Sequence, residues 1–386
     1  MSRMKIYTSE SVSEGHPDKL ADQISDALLD EFLSEDRKYN REHKDSARVA
    51  IETLLTRGLC IVAGEVRIVE GYVDIPTIVR RTIANVGYTD TELGFDGNTC
   101  GVMVAIQEQS KHIAQGVDTG GAGDQGMMFG MATNETPELM PLPIAISHAL
   151  MRQAADVRKK HPSLGLRPDA KSQVSVVYEN DQPKKIETIV VSHQHSPSMS
   201  QEAVRELVTE RIIRPVLATY SEYVDTDPVM HINPTGTFEI GGPQGDTGVT
   251  GRKIIVDTYG GLCPHGGGAF SGKDPTKVDR SAAYMARHVA KCIVAAGLAD
   301  RCVVALAYAI GVEQPVSLNI ETFGTEKVGI EEIEKRVRAT FDMSPRGIIK
   351  HLDLLNVTYL PTASNGHFGN PAFPWERVAE AEALRG

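Results

Sequence analysis

The sequence predicts an α/β or α+β protein with antiparallel sheets, and two observations support that fold class. The chain has 386 residues, of which 41% are hydrophobic and 24% charged, a composition typical of a globular protein with two or three domains. Segments rich in β-forming residues occur in pairs ahead of amphipathic helical segments. Strands that come in pairs before a helix are typical of antiparallel sheets.

Four segments have the apolar spacing of an amphipathic helix. In the first, apolar residues recur every four positions after Pro17 and Asp18, a pair that suits a helix start. The second follows Ser200, and the third is rich in alanine and has Gly297 near its end. The positions that define the four helices are Leu20, Ile24, Leu28 and Phe32; Val204, Leu207 and Val208; residues 281–298; and Ile330, Ile333, Val337 and Phe341.

The remaining segments divide into strands and loops. The β-rich runs predict strands at residues 48–55, 59–66, 173–178, 186–192, 253–257, 302–307 and 316–320. Segments rich in glycine, with proline in the second and third, predict long loops at residues 115–130, 233–251 and 259–275. Loops of this length inside a compact protein are usually functional or disordered. The mixed charge run at residues 36–46 is predicted to be a solvated surface segment.

Charge and cysteine content exclude several classes of protein. The formal net charge of −11 argues against general binding to nucleic acid or to anionic membranes. The five cysteines are scattered without a C-x-x-C pair, which favours a reducing, cytoplasmic location. Residues 1–19 lack the apolar core of a secretory signal. The longest apolar stretch, residues 292–312, is interrupted by Asp300 and Arg301, so no membrane span is predicted.

The stretch from Gly266 to Asp279 carries the strongest local chemical signal. Residues 267–273 have the spacing of a phosphate-binding P-loop, but Asp274 replaces the expected Ser or Thr and Pro275 interrupts the expected helix. Glycines still allow backbone N–H groups to approach a polyanion, two lysines add charge, and an acid offers an oxygen ligand for magnesium. A flexible loop with solvated lysines remains the structural alternative.

A second stretch, residues 11–19, places His16, Asp18 and Lys19 ahead of a helix. A helix N-terminus favours anions, and an aspartate there binds a cation, so phosphate and metal are expected together. A simple helix cap explains the same residues equally well. Three further polar stretches, 121–126, 166–174 and 241–253, contain glycines, acids and basic residues, although each alone is compatible with a turn. Together the five stretches predict one composite pocket for a polyphosphate, metal ions and a zwitterion.

Four strings closely resemble the methionine adenosyltransferases, also called S-adenosylmethionine synthetases. They are Ser-Glu-Gly-His-Pro-Asp-Lys (13–19), Gly-Ala-Gly-Asp-Gln-Gly (121–126), Gly-Gly-Gly-Ala-Phe-Ser-Gly-Lys-Asp-Pro (266–275) and Gly-His-Phe-Gly (366–369). The resemblance covers residues 7–375. It implies that ATP and L-methionine form S-adenosylmethionine, phosphate and pyrophosphate, with about two Mg²⁺ per site and K⁺. It also implies three similar α/β domains (5–111, 120–238 and 240–378) around a pseudo-threefold axis, with largely mixed or antiparallel sheets.

The resemblance assigns roles to individual residues and implies a homodimer or homotetramer with shared sites. Residues implied to act in catalysis are His16, Lys171, Arg252, Lys273 and Lys277. Residues implied to bind ATP are His16, Asp124, Asp169, Lys171, Phe238, Asp246, Arg252, Lys253, Ala269 and Lys273. Residues implied to bind methionine are Glu65, Gln109, Asp246, Lys277 and Ile310. Those implied to hold metals are Asp18 and Asp279 for magnesium and Glu52 for potassium. Residues 110–123 are expected to form a mobile lid.

Four departures from the family pattern accompany this resemblance. Thr237 stands where a basic residue is usual, and Asn365 replaces an aromatic residue. The lid is short at residues 118–123, and residues 36–46 look like an insertion. Two other functions are compatible with the motifs: an ATPase or kinase built on the P-loop-like stretch, and a non-catalytic nucleotide sensor. The first predicts ADP as a product, and the second predicts binding without turnover.

Overall fold

A computed structural model describes residues 4–40, 47–108 and 120–386. Its strands are β1 (Met4–Val12), β2 (Arg48–Thr56), β3 (Leu59–Arg67), β4 (Gly101–Glu108), β5 (Gly126–Thr133), β6 (Leu166–Glu179), β7 (Gln182–His195), β8 (Val229–Ile232), β9 (Gly248–Val249), β10 (Arg301–Tyr308) and β11 (Ser317–Glu321). Its α-helices are α1 (Pro17–Tyr39), α2 (Ile75–Val86), α3 (Leu142–Lys160), α4 (Gln201–Val208), α5 (Arg214–Thr219), α6 (Ile254–Asp257), α7 (Val278–Ala295), α8 (Ile330–Thr340), α9 (Pro345–His351) and α10 (Ala381–Arg385).

Each of three sheets is covered by one long helix. The sheet β4-β3-β2-β9 packs on α1, the sheet β1-β6-β7-β8 packs on α3, and the sheet β11-β10-β5 packs on α7. The first and third layers share one apolar core, whereas the second layer has its own. Helix α1 buries the predicted face of Leu20, Ile24, Leu28 and Phe32. Helix α7 is buried on nearly all sides, and its buried charged residues Arg280, Arg287 and Lys291 are each held in an ion pair.

The three sheets exchange edge strands in a cycle. Strand β1 pairs with β6, β5 pairs with β10, and β9 pairs with β2. In each sheet, one edge strand therefore comes from a distant part of the chain. All pairs are antiparallel except β3 with β4 and β7 with β8. The predicted α+β class with mixed and antiparallel sheets is therefore confirmed, and the cyclic exchange fits three related domains. The exact domain boundaries stay a prediction.

The predicted strand at residues 253–257 is wrong, because this segment forms helix α6. Its β-branched residues favour a strand, but the Asp257 carboxylate forms a buried ion pair with Lys19. The Asp257 N–H donates to the Lys253 carbonyl (2.9 Å), which closes the helical turn. Long-range contacts thus override local β-propensity here.

Two predicted loop or surface segments are also partly wrong. Residues 126–130 begin strand β5, because Gly130 lets the backbone of α7 approach closely: a Cβ atom at this glycine would lie 2.0 Å from the Ala286 carbonyl carbon. In the charge run, α1 continues to Tyr39 and Asp36 is buried, accepting backbone N–H groups of Ala47 and Val69. Residues 41–46 lie outside the described residues. Across the described ranges, we find no helix of sufficient length and apolarity to cross a membrane.

Candidate active site

The first charged cluster lies at the start of α1. His16 is the N-cap residue, and its Nδ1 accepts the backbone N–H of Asp18 (3.2 Å). Asp18 is buried; its Oδ1 accepts the Val249 N–H of β9 (2.9 Å), and its Oδ2 lies 2.6 Å from Lys253 Nζ. Arg252 Nε lies 3.7 Å from Asp18 Oδ1. The helix cap therefore exists, but the capping side chain is the histidine, which leaves the aspartate to face two cations.

Burial and charge fix the protonation of this pair. Burial, helped by Lys253, lowers the pKa of His16 to about 3, so the imidazole is neutral at neutral pH. Burial works against ionisation of Asp18, but the Lys253 ammonium and the Val249 N–H outweigh it and hold the pKa of Asp18 below its usual value. The site thus combines a neutral ring with an ionised carboxylate.

Strand β6 adds Asp169 and Lys171 beside this cluster. Gly15 makes the approach possible, because a Cβ atom there would lie 2.2 Å from the Pro168 carbonyl oxygen. Lys171 interacts electrostatically with both His16 and Asp169, which indicates that it lies close to both. Asp169 Oδ2 accepts the Gly242 N–H (2.8 Å), whereas its buried Oδ1 has no hydrogen-bond partner among the described residues. This free oxygen is suited to accept a hydrogen bond from a ligand hydroxyl or amino group.

The second charged cluster lies at the start of α7. Lys273 Nζ lies 2.6 Å from Asp279 Oδ2, and Lys277 Nζ lies 2.6 Å from Asp274 Oδ2. Asp274 is fully buried and also accepts the N–H of Val49, so it holds the loop against β2. Asp279 is partly exposed, with Gly268 so close that a Cβ atom there would lie 2.3 Å from its Oδ1.

Strand β2 and the 251–253 loop connect the second cluster to other predicted residues. Lys273 forms a β-bridge with Ala50, which on its other side pairs with Glu65 of β3. The first cluster approaches the glycine-rich segment at Gly251, where a Cβ atom would lie 2.4 Å from Ala269 Cβ. The loop that carries Arg252 and Lys253 of the first cluster therefore lies against the glycine-rich segment that carries Lys273 of the second, although the two clusters belong to different helices.

The other predicted residues are more dispersed. Phe238 donates its N–H to His195 Nε2 (3.0 Å), next to β7, and Asp246 lies near enough to Asp169 to raise the pKa of that carboxyl. The side chains of the remaining predicted residues are exposed: Glu52, Glu65, Asp124 and Ile310. Gln109 and residues 110–119 of the predicted lid lie outside the described residues. A cavity of about 360 Å³ between α3 and residues 361–373 contains none of the predicted site residues.

Comparison with known proteins identifies the family. Models of the N-terminal, central and C-terminal domains of S-adenosylmethionine synthetase match residues 4–111, 119–238 and 240–377. The chain belongs to the S-adenosylmethionine synthetase family. An S-adenosylmethionine synthase of Thermus thermophilus is 55% identical over an alignment of 401 positions, covering 100% of this chain and 99% of the relative. Those of Myxococcus xanthus and Petrotoga mobilis are 57% and 54% identical, covering 98% of this chain and 94% and 98% of the relatives.

Membership of this family confirms the resemblance and the predicted enzyme class. The alternative of a P-loop ATPase or kinase is not supported, and the structure agrees. Lys273 itself forms a β-bridge with Ala50, and helix α7 begins only at Val278, whereas a P-loop lysine lies at a helix start. The assignments of individual residues to ATP, methionine and metals stay predictions.

A buried ionic network beneath the first cluster was not predicted from sequence. Lys19 pairs with Asp22 (2.9 Å) and with Asp257, and Asp22 also accepts the Gly251 N–H (2.8 Å). Asp22 thereby fixes the loop that carries Arg252 and Lys253. The available signal was weak: Lys19, Asp22 and Asp26 recur at spacings of three and four residues, which places them on one face of α1.

The carboxylates of both clusters are suited to hold the Mg²⁺ ions that the sequence resemblance implies. Mg²⁺ prefers oxygen ligands, which Asp18 and Asp279 offer. In each cluster a lysine ammonium lies 2.6 Å from the carboxylate, so the carboxylate already has one cationic partner. A metal ion would bind the carboxylate beside this ammonium or in its place. The residues present therefore fit a divalent metal bound together with phosphate.

Proposed function

We propose that the chain joins ATP and L-methionine to form S-adenosylmethionine, with phosphate and pyrophosphate as the other products. The observation that carries this proposal is the first cluster, in which an ionised Asp18 faces Lys253 and Arg252 beside a neutral His16. Family membership over the whole chain supports it. A cation-rich site with a neutral ring is suited to stabilising a departing polyphosphate.

The reaction needs no general base. A lone pair on the methionine sulfur forms the S–C5′ bond while the C5′–O bond breaks, and its electrons leave with the triphosphate. A thioether carries no proton, so the protein has to align sulfur with C5′ and stabilise the leaving oxygens. Water then cleaves the triphosphate into phosphate and pyrophosphate.

His16 is proposed to donate a hydrogen bond to the leaving oxygen. Its Nδ1 accepts a backbone N–H, so in the neutral ring the proton resides on Nε2. That N–H is a donor that costs no protonation step at neutral pH. The positive charge is proposed to come from Lys171, Arg252, Lys253, Lys273 and Lys277, which neutralise the phosphates.

Metal ions are proposed to complete this charge balance. Asp18 and Asp279 would hold about two Mg²⁺ ions, which bind the phosphate oxygens and withdraw charge from the leaving group. Glu52 is proposed to hold K⁺, and Phe238 and Ala269 to line the ATP pocket. Asp169 Oδ1 would accept a hydrogen bond from the nucleoside.

Self-association is proposed to enclose the site. Met103 on β4, Met127 on β5 and Val316 next to β11 are 53–60% exposed, and apolar sheet faces of this kind are typical of interfaces. A homodimer or homotetramer would cover Glu65 and Ile310, the exposed residues predicted to bind methionine. We also propose a cytoplasmic location, as the cysteine usage predicts.

Product analysis tests the proposal directly. Purified protein is incubated with ATP, methionine, Mg²⁺ and K⁺, and nucleotides and phosphates are separated by chromatography, with a reaction lacking methionine as control. We expect S-adenosylmethionine, pyrophosphate and phosphate, with no S-adenosylmethionine in the control. Formation of ADP, or ATP binding without turnover, would contradict the proposal.

A further inference from the structure

A cluster of two histidines and one glutamate lies away from both charged clusters. His288 is on α7, His351 ends α9, and Glu380 precedes α10. His288 Nε2 lies 3.2 Å from His351 Nε2 and 3.1 Å from Glu380 Oε2, and His351 Nε2 lies 3.4 Å from Glu380 Oε1. None of the three takes part in the proposed reaction, so their convergence needs another explanation.

Hydrogen bonding alone does not satisfy this cluster. His288 Nδ1 lies 3.3 Å from the Trp375 carbonyl oxygen, which can only accept, so the ring proton resides on Nδ1 and Nε2 carries a lone pair. Glu380 Oε2 is buried without a hydrogen-bond partner among the described residues. In this neutral tautomer the lone pair of His288 Nε2 lies 3.1 Å from Glu380 Oε2 with no hydrogen between the two atoms, an arrangement that a cation would satisfy.

The separations match those around a tetrahedral metal ion. Zinc binds histidine nitrogen and carboxylate oxygen at about 2.0–2.2 Å, which places neighbouring ligand atoms about 3.3–3.5 Å apart in a tetrahedron. The observed spacings are 3.2 Å between the two Nε2 atoms, 3.1 Å from His288 to Glu380 Oε2 and 3.4 Å from His351 to Glu380 Oε1, and one atom of each residue lies within 4.8 Å of the other two. The bond from His288 Nδ1 to a carbonyl is also typical of metal-binding histidines, whose second nitrogen is held by such a partner.

We propose that His288, His351 and Glu380 bind a divalent transition-metal ion of the zinc type. Imidazole ligands favour zinc over magnesium, so this site differs in chemistry from the carboxylate sites proposed for the reaction. Water would fill the fourth position, because among the described residues no further histidine, cysteine or carboxylate atom lies within 4.8 Å of all three ligand atoms.

The metal would fasten the C-terminal segment to the central helix α7. The same segment already reaches α7 through Glu376, which pairs with Arg287 (2.8 Å) and Lys291 (2.7 Å). An ion that binds only the folded chain stabilises it in proportion to its affinity and concentration. The expected role is therefore structural, and bound zinc should raise the midpoint of thermal unfolding.

Metal analysis of the untagged full-length protein tests this site. Protein is stripped with EDTA, dialysed against Zn²⁺ and then metal-free buffer, and its zinc content is measured by atomic emission. The variants are His351→Gln and Glu380→Gln, and His161→Gln is the matched control because His161 is an exposed histidine outside the cluster. We expect wild type and His161→Gln to retain about one zinc more per chain than the two cluster variants. Comparing variants separates this zinc from any ion bound near His16.

Cobalt provides a second test that needs no variant. Co²⁺ in a tetrahedral site has strong visible absorption, so cobalt-loaded wild type should show these bands and a raised unfolding midpoint. Equal zinc content in wild type and either folded cluster variant would overturn the proposal. If neither variant folds, a wild type without tetrahedral cobalt bands would overturn it.

Discussion

The two charged clusters share a plan but differ in rigidity. In each, a carboxylate in the first turn of a long helix lies 2.6 Å from a lysine ammonium, Asp18 with Lys253 on α1 and Asp279 with Lys273 on α7. Asp18 is 1% exposed and also accepts a backbone N–H from β9, whereas the side chain of Asp279 is 22% exposed. The first carboxylate is therefore fixed before ligands bind, and the second retains more freedom to rearrange around them.

The largest effect is expected from Asp18→Asn, which tests whether the first charged cluster controls the reaction. The amide keeps the shape of the side chain but loses the charge that faces Lys253 and that would bind the proposed Mg²⁺. We expect kcat to fall at least about a thousandfold, equivalent to about 4 kcal/mol. Steady-state kinetics over a range of Mg²⁺ concentrations measure this change. Asp300→Asn, which alters a surface pair with Lys327, is the control. If Asp18→Asn turned over substrate at the wild-type rate, the first charged cluster would have a structural role and no role in the reaction.

The second largest effect, on stability, is expected from Asp26→Ala, which breaks an ion pair between helices α1 and α7. Asp26 of α1 binds the Arg280 guanidinium of α7 through both oxygens, at 2.7 and 2.9 Å, with both side chains buried. Asp26→Ala leaves a buried unpaired charge and should lower the free energy of unfolding by about 3 kcal/mol or more. Urea denaturation followed by fluorescence of Trp375, the single tryptophan, measures this loss.

A surface pair provides the comparison for this link. Asp156→Ala removes a partner of Lys160 that is largely solvated, so it should change the unfolding free energy by less than about 1 kcal/mol. Equal losses in the two variants would mean that burial does not set the strength of the link. A large loss for Asp26→Ala alone would show that the positions of the two clusters depend on this pair.

Lys273→Ala tests the more exposed cluster. Its ammonium is expected to stabilise the leaving triphosphate, and loss of one such group typically lowers kcat by about a hundredfold, or 2.7 kcal/mol. The effect should be smaller than that of Asp18→Asn, because a less fixed group contributes less preorganisation. Single-turnover kinetics separate this step from product release, with Lys327→Ala as a surface control. An unchanged chemical rate would assign Lys273 to the solvated-loop alternative.

Sequence reasoning predicted the parts of the fold and site that depend on local pattern. The four-residue spacing from Leu20 to Phe32 predicted α1, because one buried face is enough to define such a helix. The motifs also predict that residues near 16, 169, 252 and 273 act together, and this joint action stays a prediction. The strand β5 was missed, since its glycines serve the close approach of α7 and not a turn.

What the sequence could not show depends on pairing between distant segments. Asp18 meets Lys253 and Lys19 meets Asp257 across more than 200 positions, and no local spacing encodes either pair. The same contact makes α6 helical against its β-branched composition. Likewise, the metal cluster joins three separate elements, so its histidines have no motif spacing.

The smallest predicted effect is a change of stability with pH, caused by Asp169 beside the first charged cluster. Burial raises the pKa of Asp169 to about 6, above the ordinary value of 3.8. The folded protein therefore holds this proton more tightly than the unfolded chain, and the contribution of Asp169 to stability falls as pH rises from about 4 to 6. Between pH 5 and pH 6 the loss should be about 1 kcal/mol, since one proton bound only in the folded state is worth at most about 1.4 kcal/mol per pH unit.

Comparison with Asp169→Asn isolates the contribution of Asp169 to the pH dependence of stability. The amide can still accept the Gly242 N–H but does not titrate, so the unfolding free energy of wild type minus variant should decrease from pH 5 to pH 6. The lowered pKa of His16 gives the opposite dependence, with stability lost as pH falls from 6.5 towards 3, but His16 is present in both proteins and cancels. A difference that stays constant would mean that Asp169 ionises normally, and that the unpartnered oxygen is already satisfied by water in the free protein.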